Sequence, residues 1–188
     1  NELLLCVSES FGGWGFMARD ADTEMRDVML EPKWDLKRQL RFPESVAFDA
    51  ARGVFYVSNF FDDGKEFISK ISPEGEVLSL RWAGGLERPT GLAMHADRLY
   101  AVDRKGVAVI NPASGMIEKR IDATEAQFLN DIAFDEAGIG YVTDSRANRI
   151  LKLEGDRLAP WLEARCLEVP TASGWRKASC SSAIPTMR

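Results

Sequence analysis

The sequence predicts an all-β fold, because one pattern of strand, tight turn and strand recurs along the chain. The pattern occupies residues 42–59, 88–103 and 129–144, and each copy ends on Asn or Asp. The three tyrosines, Tyr56, Tyr100 and Tyr141, mark equivalent positions that lie 44 and 41 residues apart. Repeats of about 40–45 residues with four short strands each are typical of propeller blades. We therefore predict an incomplete β-propeller of about three blades and the start of a fourth.

The composition is that of a soluble globular chain of 188 residues, with 45% hydrophobic and 28% charged residues. The net charge of −5 argues against a nucleic-acid partner. No apolar run approaches the length of a membrane span, so we expect no membrane partner either. The three cysteines show no CxxC spacing and are interpreted as buried or incidental thiols. Without a clear signal peptide the default compartment is the cytoplasm, and a trimmed N-terminus would instead suit a periplasmic or secreted protein.

The first 33 residues do not fit the repeat. For residues 1–33 we predict an irregular segment with a short helix over Asp22–Leu30. Trp34–Leu40 is predicted to be an outer strand. Residues 34–168 are then predicted to form the partial propeller, with blades that start near positions 44, 90 and 130.

Each blade is predicted to contain four antiparallel strands, because apolar alternation resumes after every turn signal such as Ser72-Pro73-Glu74-Gly75. The predicted strands of blade one are Ser45–Phe48, Val54–Ser58, Phe67–Ile71 and Val77–Trp82. Those of blade two are Gly91–Met94, Leu99–Val102, Val107–Ile110 and Met116–Ile121. Those of blade three are Ile132–Phe134, Tyr141–Thr143, Arg149–Leu153 and Leu158–Leu162.

A fourth blade is expected to open at Thr171, because Val169-Pro170-Thr171 matches Arg88-Pro89-Thr90. The alternation stops there, and residues 169–188 are predicted to be an irregular tail. A one-base reading-frame shift after Pro170 and a genuine terminal tail are the two explanations. Propellers normally close with about 4–8 blades, so an open ring predicts low stability and self-association through exposed blade edges.

The repeat also predicts a site. The residues just before the first strand and just after the second strand of each blade lie at one end of the ring, because these strands are antiparallel. The position before the first strand is occupied by Glu44, Thr90, Asn130 and Thr171. The position after the second strand is occupied by Asn59, Asp103 and Asp144. Their oxygens suit Ca²⁺ or Mg²⁺. The alternative is that Asp and Asn cap turns at strand ends, which is strongest for Asp103 and Asp144.

At these residues the sequence resembles the gluconolactonase/regucalcin-like (senescence-marker-type) family of six-bladed propellers. The resemblance covers roughly residues 34–170 and rests on PES before the first strand, on LND followed by AFDEAG, and on YVTDS. It implies a metal in the channel mouth, with Glu44 as the metal Glu and Asn130 as the first metal Asn. The second Asn would stand at Thr171. The expected general acid/base Asp lies beyond this chain, so the catalytic residue is unknown. Phe128 stands where the family often has an Arg for the sugar acid.

The resemblance implies hydrolysis of a small-molecule lactone or carboxylic ester, assisted by one divalent ion. We expect Ca²⁺, with Mg²⁺, Mn²⁺ or Zn²⁺ as alternatives. Because only two of four ligands are present, we expect weak metal binding and little or no turnover from this chain itself. The competing hypothesis is a non-catalytic propeller that acts as a binding or scaffold module, which Phe60-Phe61 at the same mouth favours. A third hypothesis is that the chain is a remnant without function. The only histidine, His95, is predicted in a hairpin at the opposite end, which excludes a Ser-His-Asp triad there.

Overall fold

A computed structural model of the chain describes residues 34–36, 39–61 and 64–163, together with the backbone of two strands within residues 3–20. The chain divides into two units, Asn1–Lys33 and Trp34–Arg188. Within the described residues, no helix is long and apolar enough to cross a membrane.

The N-terminal unit contains a two-stranded antiparallel sheet of β1 (Leu3–Ser10) and β2 (Gly13–Asp20). Leu3 pairs with Asp20 and Ser10 pairs with Gly13. The prediction of an irregular segment is wrong for these residues. Neither strand shows the alternation of a half-buried strand, since residues 3–7 are apolar throughout and β2 carries two glycines. The predicted helix Asp22–Leu30 lies outside the described residues, as does the predicted tail 169–188.

Among its described residues, the second unit contains three four-stranded antiparallel sheets, each with its strands in chain order from the inner to the outer edge. Blade one consists of β3 (Pro43–Asp49), β4 (Val54–Asn59), β5 (Phe67–Ile71) and β6 (Val77–Ala83). Blade two consists of β7 (Leu92–His95), β8 (Arg98–Asp103), β9 (Gly106–Ile110) and β10 (Ile117–Asp122). Blade three consists of β11 (Leu129–Phe134), β12 (Gly140–Asp144), β13 (Arg149–Glu154) and β14 (Arg157–Glu163). The predicted fold class, an all-β incomplete propeller, is confirmed, and each of the twelve strands predicted for blades one to three overlaps an observed one.

The predicted outer strand Trp34–Leu40 is wrong for the part that the structure describes, where residues 34–36 and 39–40 form no strand. Trp34 instead donates its indole N–H to the Pro73 carbonyl at 3.0 Å and packs edge-on against Phe55. Its ring fills the space beside Gly75 that a Cβ atom would need, so it covers the turn of blade one. The amide of Gln39 bonds back to the Leu36 carbonyl at 3.0 Å, which turns the chain toward β3.

Two apolar clusters lie where neighbouring blades pack together. The first joins blades one and two around Tyr56, Ile68 and Leu99, which are fully buried. The second joins blades two and three around Val102 and Val142. Tyr56 packs on Trp82 with 4.4 Å between ring centroids and donates its hydroxyl to the Pro112 carbonyl of blade two at 3.0 Å. The tyrosine that marks the repeat in the sequence therefore contributes to the packing between blades.

Replacing Tyr56 with Phe should lower the free energy of unfolding by about 1 kcal/mol, because the buried Pro112 carbonyl loses its hydrogen bond. The matched control is Tyr141→Phe, whose hydroxyl bonds to the exposed Asp135 at 3.1 Å. We expect the control to change the stability by less. Urea denaturation of both variants at pH 7 measures the difference, and equal losses would contradict the role of the buried bond.

Candidate functional site

The mouth is the end of the propeller unit where the first strand of each blade begins and the second strand ends. In blade one Pro43 pairs with Asn59 and Val46 with Val57, so two residues of β3 oppose one residue of β4. Blade three has the same bulge, because Leu129 pairs with Asp144 and Ile132 with Val142. A bulge takes residues off the ladder and redirects their side chains. It places Glu44 and Asn130 at equivalent steps of blades one and three.

The three residues that follow the second strands are buried and hydrogen-bonded inside their blades. The exposed fraction is 0% for Asn59, 1% for Asp103 and 0% for Asp144. Each side chain accepts a backbone N–H from the loop that enters its own blade. The donors are Arg41 N to Asn59 at 2.8 Å, Glu87 N to Asp103 at 3.4 Å, and Gln127 N and Phe128 N to Asp144 at 3.1 and 2.8 Å. This arrangement agrees with the capping interpretation of these residues.

Two of these buried acceptors are also paired with an arginine from an outer strand. Arg120 donates to Asp103 at 2.8 Å and Arg149 donates to Asp144 at 3.0 Å. Burial alone would raise the pKa of Asp144, but hydrogen bonds from Phe128, Gln127 and Arg149 outweigh it, and the pKa lies below its usual range. Asn59, which carries no charge, donates its amide to Ser69 and to the Val57 carbonyl instead.

Thr90, the blade-two counterpart of Glu44, is buried and links blades two and three. Its hydroxyl donates to the Leu129 carbonyl at 3.3 Å and its amide to the Val102 carbonyl at 2.9 Å. The next residue, Gly91, donates its amide to the Asn130 carbonyl at 2.8 Å. A Cβ atom at Gly91 would lie 2.5 Å from Asp131, so only glycine allows this approach. The backbone of Asn130 is thereby fixed against blade two.

The side chains of Glu44, Asn130 and Asp131 lie in the bulges, and they are more exposed than the buried acceptors at the ends of the second strands. Glu44 and Asp131 are exposed to solvent and Asn130 is half-buried. Protein atoms crowd the Glu44 carboxyl even so, and this burial, with the negative charge of Asp131, raises its pKa to about 7. Burial also raises the pKa of Asp131, although the N–H of Ile132 partly offsets the effect. Asp131 was missed in the sequence because its position beside Glu44 depends on the bulge.

Glu44, Asn130 and Asp131 could supply oxygen donors to a metal ion, but they would make up only part of its coordination shell. Within the described part of the chain, no group of three or more His, Cys, Asp or Glu side chains is placed to hold an ion. Two carboxylates and one amide are hard oxygen donors, whereas Ca²⁺ takes about six to eight oxygen ligands. The chemistry of the set fits a hard divalent cation, and water or further protein groups would have to complete the shell. Thr171 lies outside the described residues.

Arginine and phenylalanine side chains cover the rest of the mouth. The guanidinium carbon of Arg41 lies 4.5 Å from the centre of the Phe61 ring. Arg88 lies 4.8 Å from the Phe60 ring and 5.9 Å from the Phe128 ring, and Arg146 lies 5.2 Å from the Phe128 ring. These distances are within the range of cation–π contacts. The aromatic pair noticed in the sequence is therefore in contact with cations at the mouth.

His95 lies at the end of β7, in the hairpin that leads to β8, away from the mouth. Its ring stacks on Phe134 with 4.4 Å between centroids. It contributes to packing between blades two and three at that end.

No protein-family model matches the chain, and no curated protein matches it. Virginiamycin B lyase from Staphylococcus aureus shares its fold with a TM-score of 0.53 and 13% identity, over 86% of this chain and 55% of that chain. A catalytically inactive variant of that enzyme, determined with quinupristin, gives a TM-score of 0.51 at 13% identity, over 80% and 46% of the two chains. A gluconolactonase from Xanthomonas campestris gives a TM-score of 0.47 at 17% identity, over 72% and 43%. The chain spans about half the length of these structures. At these identities the likeness shows the fold alone.

Replacing Asp144 with Asn should lower the free energy of unfolding at pH 7 by about 2 kcal/mol, because a buried charged acceptor is lost. The folded pKa of Asp144 is depressed, so its contribution is present above the unfolded pKa of about 4 and disappears as pH falls through the folded value. The stability curves of variant and wild type should therefore converge below roughly pH 4. Glu136→Gln, which alters an exposed carboxylate in a turn, is the control. Curves that stay parallel at all pH values would contradict the charged role.

Replacing Glu44 with Gln should stabilise the protein at pH 8 and have little effect at pH 4. The folded pKa of about 7 exceeds the unfolded value of about 4.3, so the folded state binds more protons between them. The stability of the wild type then falls as pH rises through this window, and the Gln variant escapes this loss. Thermal melts from pH 4 to 8 measure the difference, with Glu136→Gln in a distant turn as the control. A destabilised variant at pH 8 without added metal would contradict the prediction.

Proposed function

We propose that this propeller unit belongs to a divalent-metal-dependent hydrolase of lactones or carboxylic esters. The family resemblance supplies the reaction class. The observation that carries the proposal is the matched bulge of blades one and three, which brings Glu44 and Asn130 to equivalent positions at the mouth. A structural cap explains Asn59, Asp103 and Asp144, whereas no capping bond involves the Glu44 or Asn130 side chains among the described residues.

The ion would be held by Glu44 and Asn130, with Asp131 as a third donor that the sequence did not suggest. The charge of Asp131 raises the pKa of Glu44, and the same negative charge would favour a cation beside Glu44. Ca²⁺ is the expected ion because all donors are oxygens, and Mg²⁺, Mn²⁺ or Zn²⁺ are the alternatives. Gly91 and the hydrogen bond from its amide to the Asn130 carbonyl hold this wall of the site in place.

The bound ion would supply a Lewis acid for the substrate carbonyl and favour deprotonation of a water. The residues of this chain would orient the substrate at the mouth, where the blade-entry loops are fixed by Asn59, Asp103 and Asp144. No described residue is assigned as the general acid or base. The substrate class of the whole protein follows from the resemblance and is part of the proposal.

A second function, a non-catalytic binding module, is favoured by the contacts between arginine and phenylalanine side chains at the mouth. Such a surface would bind a ligand without catalysing a reaction. The two functions differ in whether lactone or ester hydrolysis depends on the residues that hold the ion.

Calcium titration of the 188-residue chain by calorimetry at pH 7.5 tests the proposed ion site. We expect weak binding, and we expect Glu44→Gln to weaken it by at least about tenfold, since even groups that only support a ligand contribute this much. Glu136→Gln, in a turn away from the mouth, should bind as the wild type does.

Hydrolysis of glucono-δ-lactone and 4-nitrophenyl acetate, followed with and without calcium, tests the reaction. Calcium binding that is unchanged when Glu44 or Asn130 is replaced would contradict the proposed ion site. Binding that needs Glu44 but is accompanied by no hydrolysis, in a protein extended to a closed ring, would favour the binding module.

A further inference from the structure

A buried carboxylate without a hydrogen-bond partner lines a cavity between blades one and two. Glu66, the residue before β5, is only 6% exposed, and its Oε2 atom has no hydrogen-bond partner among the described residues. The cavity that it lines has a volume of about 370 Å³, which is within the range of small-molecule sites. Because buried carboxylates are normally hydrogen-bonded or paired, Glu66 is a candidate to receive a donor from a ligand.

Three segments from the two blades form the cavity. Gly64 and Glu66 belong to the loop that leads into β5 of blade one. Residues 85–88 connect blade one to blade two, and Arg104 lies in the turn between β8 and β9. The buried Leu86 gives the cavity an apolar part beside these polar groups.

Each segment is fixed by a hydrogen bond from another strand or turn. The pairs are the Arg81 guanidinium with the Lys65 carbonyl at 2.8 Å, the Arg120 guanidinium with the Gly85 carbonyl, and the Arg104 amide with the Glu87 carbonyl at 2.8 Å. A wall that is already fixed lowers the entropic cost of ordering the site when a ligand binds.

Arg104 supplies a positive charge to the same cavity. It is exposed, and its side chain forms no ion pair within the described part of the chain. Glu87, the second carboxylate of the lining, is already paired with Lys105 at 2.6 Å. Arg88 also lines the cavity, but its guanidinium packs on the Phe60 ring at 4.8 Å and takes part in further interactions, so it is assigned no part in binding.

The charges of Glu66 and Arg104 select the class of ligand. A buried anion is stabilised best by a donor that carries positive charge, since a neutral donor leaves the charge uncompensated. A simple amine would place its charge near Arg104, which is unfavourable. A ligand with both an ammonium and a carboxylate avoids this, because the ammonium donates to Glu66 and the carboxylate accepts from the planar guanidinium of Arg104.

We propose that this cavity binds a small amino acid as a zwitterion. Glu66 holds the ammonium, Arg104 holds the carboxylate, and the apolar wall at Leu86 suits an aliphatic side chain. The site uses neither Glu44 nor Asn130, which are proposed for the metal ion, and it needs no metal. It goes beyond the proposed hydrolase function and holds for either a catalytic or a non-catalytic propeller.

Calorimetric titration of the full chain with L-leucine at pH 7.5 and low salt tests the site. The comparison probes are 3-methylbutylamine, which is leucine without its carboxylate, and 4-methylpentanoate, which is leucine without its ammonium. We expect leucine to bind at least about tenfold more tightly than either probe, because each probe lacks one charge-assisted hydrogen bond. Addition of EDTA should leave the leucine affinity unchanged.

Two substitutions separate the arms of the site. Glu66→Gln keeps the shape of the side chain but removes its charge, and it should weaken leucine binding by about tenfold or more. The same substitution should not lower the free energy of unfolding, because it removes an unpartnered buried charge. Arg104→Met should weaken leucine binding by a similar factor. Glu74→Gln, an exposed residue in the turn between β5 and β6, is the control and should bind leucine as the wild type does.

Urea denaturation and circular dichroism show whether each variant is folded and how stable it is. Glu44→Gln should keep full leucine affinity, which separates this site from the proposed ion site. Equal binding of either comparison probe, or leucine binding that survives Glu66→Gln or Arg104→Met, would overturn the zwitterion site. So would a clear loss of stability in Glu66→Gln, or the absence of leucine binding by the folded wild type.

Discussion

The mouth of this propeller unit depends on one interaction that recurs in every described blade. A buried acceptor at the end of the second strand takes a backbone N–H from the loop that enters the same blade. The donors, Arg41, Glu87 and Gln127, each lie three residues before the mouth position of their blade, which is Glu44, Thr90 or Asn130. A buried acceptor without its donor is costly, so each loop is held in one conformation. These hydrogen bonds therefore fix the backbone that carries the side chains at the mouth.

The same residue types serve two roles that sequence patterns do not separate. Asp and Asn are favoured both as turn caps and as ligands of hard cations, so the repeat located the mouth but left the roles of Asp103 and Asp144 open. Their pairing with arginines agrees with the capping role, because each carboxylate is buried and already bonded to a guanidinium group. Arg120 and Arg149 occupy different outer strands, β10 and β13, and share no repeat position. This is why the sequence could not reveal the pairing.

The strands of the blades were predictable because period-two alternation and turn residues are local signals. Errors arose where structure depends on contacts or register. Residues 3–10 and 13–20 pair as strands without alternating, and Trp34 covers a turn through one hydrogen bond and one ring contact. Asp131 was missed because its position depends on the bulge in β11, which adds one unpaired residue to the strand. The bulge brings the charge of Asp131 close enough to Glu44 to raise its pKa. The position of a residue in the repeat could be predicted from the sequence, whereas the contacts of its side chain could not.

The mouth separates opposite charges over a short stretch of chain. Phe128, which contacts Arg88 and Arg146, and Asp131, which raises the pKa of Glu44, both belong to the segment that Asp144 anchors. Because one buried carboxylate fixes the backbone of this segment, the positive and the negative parts of the mouth are positioned together.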